Sequence, residues 1–307
     1  MNTVQRIDLY MLSRLFASRQ RPYIPRRHER ETIVIDLSGS RLTFSSPPNL
    51  CQDSFADSSQ EPPRSVNIFD DSQYSTDIKR EEWKREGVAL QILMKRSWEL
   101  FGPIWRGRPI GTIDFTLALY RHDTLPQGMS CFNPQHFETV IMRYLYYLGP
   151  CIPDHRPQKA PVNWQLRNLA GATAIFFEEH QRFSAEALEE CPFYDTHFTS
   201  CFFVPLDQTR YLQFNFRNLG YAPVEPCLKA MNGIRDLLCD SVELQLSADA
   251  KAQLVTAQKQ WPGAKANSAR DIENWVYPEW HWEGKFDEKL IITKPGSPPP
   301  PWQAKAL

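Results

Sequence analysis

The stretch that decides the fold is HFTSCFFVPL (197–206), followed by the turn DQT (207–209) and by RYLQFNFRN (210–218). In the second run Leu212, Phe214 and Phe216 fall on one face. The other face carries Tyr211, Gln213, Asn215 and Arg217. A period of two on both sides of a short polar turn predicts an antiparallel hairpin with one face in the core and the other outward.

A helix and another strand follow this hairpin. Apolar residues recur at helical spacing from about 225 to 240, at Leu228, Met231, Ile234 and Leu238. The run 241–247 alternates again, and Ser247 suits the N-cap of a short helix that ends near residue 261. Residues 198–247 therefore predict a strand, a turn, a strand, a helix and a strand in succession.

The rest of the chain predicts more strands and two longer helices. The helices span 77–101, ended by Gly102-Pro103, and 134–148, started by the cap pair Asn133-Pro134. The final 45 residues are aromatic and irregular except for one predicted strand. The strands upstream of the hairpin and in this final region are a pair within 31–48, then 65–69, 112–120, 162–168, 172–178 and 289–293.

These elements predict an α+β fold, in which a twisted antiparallel sheet has three or four helices packed on one face. We expect a basic, poorly ordered arm at 1–31, a single elaborated domain at 32–294 and a proline-rich tail at 295–307. The arm holds seven arginines and three acidic residues, a net charge of +4, which leaves −5 for the remainder of a chain whose total is −1. Four interpretations of the arm remain open. It is a frayed leader, a start of the sequence that lies upstream of the true first residue, an arm that binds an acidic partner or a membrane surface, or an organellar presequence.

Composition indicates a globular, cytoplasmic protein. The near-zero net charge disfavours nucleic acid as a partner, and no apolar run reaches the roughly 18 residues of a membrane helix. Arg6, Asp8 and Arg14 interrupt any secretory signal. The seven cysteines include no CxxC pair, which is typical of reduced thiols.

The chain lacks a glycine-rich phosphate loop, a GxSxG elbow, an HExxH motif and zinc-spaced cysteines. We predict no metal site and no cofactor. The candidates for acid–base catalysis are Glu178 and His180, two apart in a predicted strand, and His155 beside Cys151 in a proline-rich loop. A solvated strand end and an ordinary loop explain the same residues.

A partner-binding surface is the other candidate site. Trp275, Tyr277, Trp280 and Trp282 lie close together in sequence, and Tyr211 and Arg217 belong to the outward row of the hairpin. Tryptophan, tyrosine and arginine are common at the centres of protein interfaces. The alternative is that the aromatic segment covers a face or an edge of its own sheet.

The layout of 198–247 resembles the closing half of the PsbP-like α/β fold, and IDLSGSRLTFSSPPN (35–49) resembles the strand pair that opens such domains. The resemblance covers about a third of the chain and transfers no functional residue, and the two long helices depart from the pattern. It implies recognition rather than chemistry, as in bacterial adaptor and immunity proteins linked to toxin secretion.

We therefore expect a non-enzymatic factor that binds another protein. The alternatives are an enzyme with a dispersed acid–base site near Glu178 and His180, and a protein tethered to a membrane or nucleic acid by its N-terminal arginines.

Overall fold

The computed structural model describes residues 14–50, 59–75, 88–105, 107–122, 125, 128–147, 160–180, 182–183, 198–220, 224–268, 278–282 and 288–292. The strands within these residues are β1 (Glu31–Leu37), β2 (Ser40–Ser46), β3 (Ser65–Val66), β4 (Val88–Leu100), β5 (Gly111–His122), β6 (Ala160–Leu169), β7 (Ala172–His180), β8 (Arg182–Phe183), β9 (Phe198–Pro205), β10 (Arg210–Gly220), β11 (Glu243–Gln245), β12 (Pro278–Trp282) and β13 (Glu288–Ile292). The helices are α1 (Pro134–Tyr147), α2 (Val224–Asp240) and α3 (Ala248–Gln260).

The central sheet has six antiparallel strands in the order β4–β5–β10–β9–β7–β6. The hairpin predicted from 197–218 is confirmed as β9 and β10 in the middle of this sheet. Asp207 holds its turn, because Oδ1 accepts hydrogen bonds from the backbone N–H groups of Thr209 and Arg210, both at 2.8 Å. An aspartate that bonds to the residues after it favours such a turn.

A second sheet, in the order β11–β2–β1–β3, packs on one face of the central sheet. Phe44 of β2 meets Phe115 of β5 and Phe214 of β10 edge-on, with ring centroids 6.3 and 5.4 Å apart. The β1–β2 hairpin closes through Ser38 and Gly39, whose φ angles are 53° and 89°. Two positive φ angles give the two-residue turn that matches the twist of a hairpin.

The helices do not share one face of the central sheet, so that part of the predicted fold is not confirmed. Side chains of α2, among them Leu228 and Met231, join the core between the two sheets. Phe137 and Ile141 of α1 pack with Tyr211 in a separate cluster on the opposite face. The central sheet is thus covered on both faces.

The predicted helix at 77–101 is wrong for the part that the structure describes. Residues 88–100 form β4, which pairs with β5 along its length, and residues 76–87 lie outside the described residues. Leu93, Met94 and Trp98 are all completely buried, although they are not spaced by two. A register shift between Ile92 and Met94 breaks the alternation, so the apolar pattern of this strand imitates a helix.

Most other predicted elements are confirmed with small changes in their ends. These are the strands now seen as β1, β2, β5, β6, β7, β11 and β13, and all three helices outside 77–101. The caps are as expected: Asn133 Oδ1 accepts from the N–H of Gln135 at 2.9 Å, and Ser247 Oγ accepts from the N–H of Ala250 at 3.1 Å. The strand expected at 65–69 is limited to β3, and the aromatic segment contains an additional strand, β12.

Residues 14–24 of the expected N-terminal arm are joined to the domain. Ile24 is 1% exposed, and the backbones of Tyr23 and Phe101 exchange two hydrogen bonds of 2.8 Å. The guanidinium of Arg14 lies 4.5 Å from the centroid of the Phe101 ring. This segment therefore packs beside the end of β4.

Candidate functional site

The predicted catalytic residue Glu178 lies in the core of the molecule and is 2% exposed. It is on β7, and the register of the sheet places it opposite Ser200 of β9. Its Oε1 is ion-paired with Arg235 Nη1, and its Oε2 accepts a hydrogen bond from Asn163 Nδ2. Both carboxylate oxygens of Glu178 are therefore engaged by neighbouring side chains.

Arg235 reaches Glu178 from α2, which crosses the face of the sheet. Its Nη1 also donates to Ser200 Oγ at 3.3 Å and Asn232 Oδ1 at 3.1 Å, and its Nε donates to Asp236 Oδ1 at 2.8 Å. Burial lowers the pKa of Arg235, but the carboxylates of Glu178 and Asp236 raise it by more, so the net change is upward. The charged pair is thus retained inside the core.

This arrangement does not favour acid–base catalysis by Glu178, because its carboxylate is buried and held by a cation. The backbone of His180 ends β7, and its side chain lies outside the described residues. His155 lies outside them altogether. The catalytic roles of the two histidines remain predictions.

Sequence reasoning missed Arg235, although a signal for it existed. Arg235 follows Met231 by four residues and precedes Leu238 by three, so it lies on the apolar stripe of α2. A charged residue within such a stripe indicates a buried partner. Asn218 is a second buried polar residue on this side of the sheet, and its side-chain amide has no hydrogen-bond partner within the described part of the chain.

The expected outward row of the hairpin needs correction at two of its positions. Tyr211 and Gln213 are each 2% exposed, and Tyr211 stacks on Tyr120 with centroids 5.1 Å apart and an interplanar angle of 3°. Helix α1 covers Tyr211, since the ring of Phe137 meets that of Tyr211 edge-on with centroids 5.7 Å apart. Tyr211 is therefore not available as a partner contact, whereas Arg217 at the far end of the row is exposed.

The aromatic segment near the C-terminus is described only in part. Trp280 and Trp282 belong to β12, whose backbone pairs antiparallel with β13 and parallel with β8. Trp275 and Tyr277 lie outside the described residues. Strands β8, β12 and β13 form a small sheet of their own. Whether the segment binds a partner or covers a face or edge of its own domain remains a prediction.

Two chain segments with exposed side chains that the sequence did not reveal meet beside the end of β4, where Tyr23 pairs with Phe101. We name these exposed side chains the aromatic–arginine surface, which comprises Leu15, Phe16, Arg19, Arg21, Trp105 and Arg108. Phe16 is 84% exposed, Trp105 is 83% exposed and Leu15 is 55% exposed. The contacts of Arg14 and Tyr23 with Phe101 bring its two chain segments to the same end of the molecule.

The described residues also give little support for a metal site or for a reactive thiol. Among the described residues, no three histidine, cysteine, aspartate or glutamate side chains are placed to hold a metal ion. The described cysteines are buried thiols, at Cys131, Cys201, Cys227 and Cys239. Burial raises the pKa of Cys239 to about 12. No described helix has the length and apolar character needed to cross a membrane.

Comparison with known proteins gives no further identification. No protein-family model matches the chain, and no curated protein or solved structure matches it.

Proposed function

We propose that the protein is a non-enzymatic protein-binding factor whose partner docks on the aromatic–arginine surface. The observation that carries this proposal is the exposure of Phe16 and Trp105. Trp98 lies on β4 only seven residues before Trp105 and is completely buried, so the fold has room for tryptophan in its core. The side chains of Trp105 and Phe16 are instead exposed to solvent.

The physical reason is the free energy that a partner gains by covering these side chains. Complete burial of an aromatic side chain of this kind contributes about 1.5–3 kcal/mol. Tryptophan and arginine are also the residues most enriched among those that dominate binding energy. An exposed apolar group that is rimmed by polar residues is typical of an interaction site.

The charge of the surface indicates an acidic partner. Arg19, Arg21 and Arg108 are exposed in the same two chain segments as Phe16 and Trp105. In the N-terminal segment the carboxylate of Glu29 is ion-paired with Arg26 at 2.6 Å. Complementary charge speeds association and selects among partners. We propose that the partner carries carboxylates around an apolar pocket.

We also propose which type of binding protein this is and in which cellular compartment it acts. The PsbP-like layout of 198–247 supports a toxin-neutralising or adaptor role linked to a bacterial secretion system, since proteins of that build act by recognition. The buried thiols support a reducing cytoplasm, where cysteines are kept in that form.

The test is purification of the tagged full-length chain from its native host. We expect one stoichiometric protein partner, lost in the double variant Phe16→Ser/Trp105→Ser. The matched control is Val255→Ser, which removes a side chain that is 47% exposed on α3, and this variant should retain the partner. A partner retained by the double variant would contradict the proposed surface. A monomer that copurifies with a bound metabolite and without a protein partner would favour an enzyme instead.

A further inference from the structure

Among the described residues, the outer edge of β1 has no strand partner along its N-terminal half. On that side β3 pairs with β1 only at Asp36 and Leu37. Pro62 and Pro63 come shortly before β3, and because proline has no N–H group it cannot extend the ladder. Residues 32–34 therefore have no strand on this side within the described part of the chain.

The hydrogen-bonding groups of Thr32 and Val34 point towards this open edge. The β1–β2 turn has two residues, so Leu37 and Ser40 form a hydrogen-bonded pair, and every second residue before Leu37 also bonds to β2. The backbone N–H and C=O groups of the intervening residues, Thr32, Val34 and Asp36, point away from β2. Asp36 has the same phase as Val34, and its N–H donates to the carbonyl of Arg64 at 2.9 Å. Thr32 and Val34 offer equivalent groups to an incoming strand.

A cleft of about 520 Å³ borders this edge. Its walls are residues 31–34 of β1 and the loop of Pro62, Pro63 and Arg64, and Arg96 also lines it. The volume is within the usual range of ligand sites. Because the loop runs along the open side, the cleft suits one extended chain better than the edge of a second sheet.

Arg96 supplies the cleft with a cation that is only 3% exposed. Its Nη1 donates to the carbonyl of Pro47 at 2.7 Å, and its Nη2 is 2.8 Å from carboxylate oxygens of both Glu31 and Glu61. The two glutamate side chains are 49% and 67% exposed, so water can take the place of either. A guanidinium has five N–H donors, and the Nε donor of Arg96 has no partner among the described residues.

We infer that this cleft is a peptide-binding site, in which one extended segment of another protein pairs with the Thr32–Val34 edge and presents a carboxylate to Arg96. Main-chain hydrogen bonds along the edge provide affinity, and the carboxylate provides specificity. A carboxylate from the segment replaces Glu31 or Glu61 in the coordination of the guanidinium. The site does not involve the aromatic–arginine surface.

The variant that tests the edge is Val34→Pro, with Val34→Thr as its matched control. The N–H of Val34 points away from β2, so proline removes the donor for the peptide and no hydrogen bond of the β1–β2 ladder. The probe is a random twelve-residue peptide library displayed on phage, selected on the full-length chain. We expect peptides with an acidic residue in an alternating pattern, whose affinity falls at least tenfold on Val34→Pro and is unchanged on Val34→Thr.

A second measurement keeps the test independent of how well the proline variant folds. Hydrogen exchange of the unmodified chain should show slower exchange at Thr32 and Val34 when the selected peptide is bound. Failure to enrich any peptide, or protection confined to other segments, would overturn the inference. Edge pairing between two copies would instead appear as a dimer that Val34→Pro converts to monomer. Phe16→Ser/Trp105→Ser should leave peptide binding intact, which separates this inference from the proposed function.

Discussion

Two arginines of this protein, Arg235 and Arg96, are equally buried but have different partners. Each has a side chain that is 3% exposed. Arg235 pairs with Glu178, whose side chain is also 3% exposed, and we name them the enclosed pair. Arg96 pairs with Glu31 and Glu61, which are largely in water, and we name these three residues the open group.

The difference shows that burial of a charge does not by itself indicate a functional site. In the enclosed pair the Glu178 carboxylate cannot reach water and requires Arg235, whereas Arg235 also has a second carboxylate partner, the half-exposed Asp236. The pair serves to fix α2 on the sheet. In the open group only the cation is buried, and its carboxylate partners can exchange with solvent or with a ligand. The sequence pointed to Glu178 as a catalytic candidate, whereas Arg96 and Glu31 of the open group line the cleft beside β1.

The largest expected effect is that of Arg235→Met. It leaves the Glu178 carboxylate buried without its cation, and we expect the free energy of unfolding to fall by about 3–5 kcal/mol in urea denaturation. The double variant Glu178→Leu/Arg235→Met, which removes both charges, should recover most of that loss. If the double variant is no more stable than the single one, the enclosed pair is not the reason for the loss.

Arg96→Met should lower the free energy of unfolding by less than Arg235→Met does. Arg96→Met leaves Glu31 and Glu61 free to hydrate, and Ser46 Oγ keeps its 2.9 Å hydrogen bond to the carbonyl of Pro47. We expect a decrease of about 2 kcal/mol, the contribution of hydrogen bonds made by a charged group. The measurement is urea denaturation in parallel with Arg235→Met, and equal losses at the two sites would remove the distinction between them.

Alkaline pH should weaken the region of the enclosed pair. Cys239 lies one turn after Arg235 on α2, and burial raises its pKa from 9.0 to about 12. The folded state therefore holds this proton more tightly, so the stabilisation is complete below pH 9 and is lost as the pH rises towards 12. Between pH 9 and 10 we expect the unfolding free energy of the natural chain to fall by about 1 kcal/mol more than that of Cys239→Ala. Identical slopes would contradict this origin.

The smallest expected effect is that of Glu61→Gln in the open group. Its side chain is 67% exposed, so its ion pair with Arg96 is weakened by solvent. We expect a change below about 1 kcal/mol that diminishes further in 0.5 M salt. Glu178→Gln, measured alongside, should be clearly more destabilising, and a large loss for Glu61→Gln would show that the open group is held as firmly as the enclosed pair.

Local patterns predicted the elements that have an unbroken apolar period and recognisable ends. The β9–β10 hairpin, α1 with its Asn133 cap and α3 with its Ser247 cap follow from periodicity and capping, which act within a few residues. The same reasoning failed for β4. Both faces of that strand are covered and its alternation is broken at Leu93, so only its pairing with β5 identifies it as a strand.

The candidate sites were less accessible to sequence reasoning. Arg235 could have been found, since it interrupts an apolar helical stripe, but its partner Glu178 is 57 residues away along the chain. The exposure of Trp105 has no local signal, because the sequence around it does not say which surface the chain follows after β4. The open edge of β1 depends on where β3 begins, although Pro62 and Pro63 hinted at that boundary.

The sequence by itself determined the alternating strands, the amphipathic helices, their caps and the tight turns, because these depend on side-chain spacing and on backbone preferences of neighbouring residues. Only the tertiary structure decided that α1 and α2 lie on opposite faces of the central sheet, which turned Tyr211 from an expected surface residue into a core residue. It also decided which buried arginine has a carboxylate partner in the core and which has only carboxylate partners that are largely in water. Those outcomes depend on contacts between distant segments, whose free energy no local pattern contains.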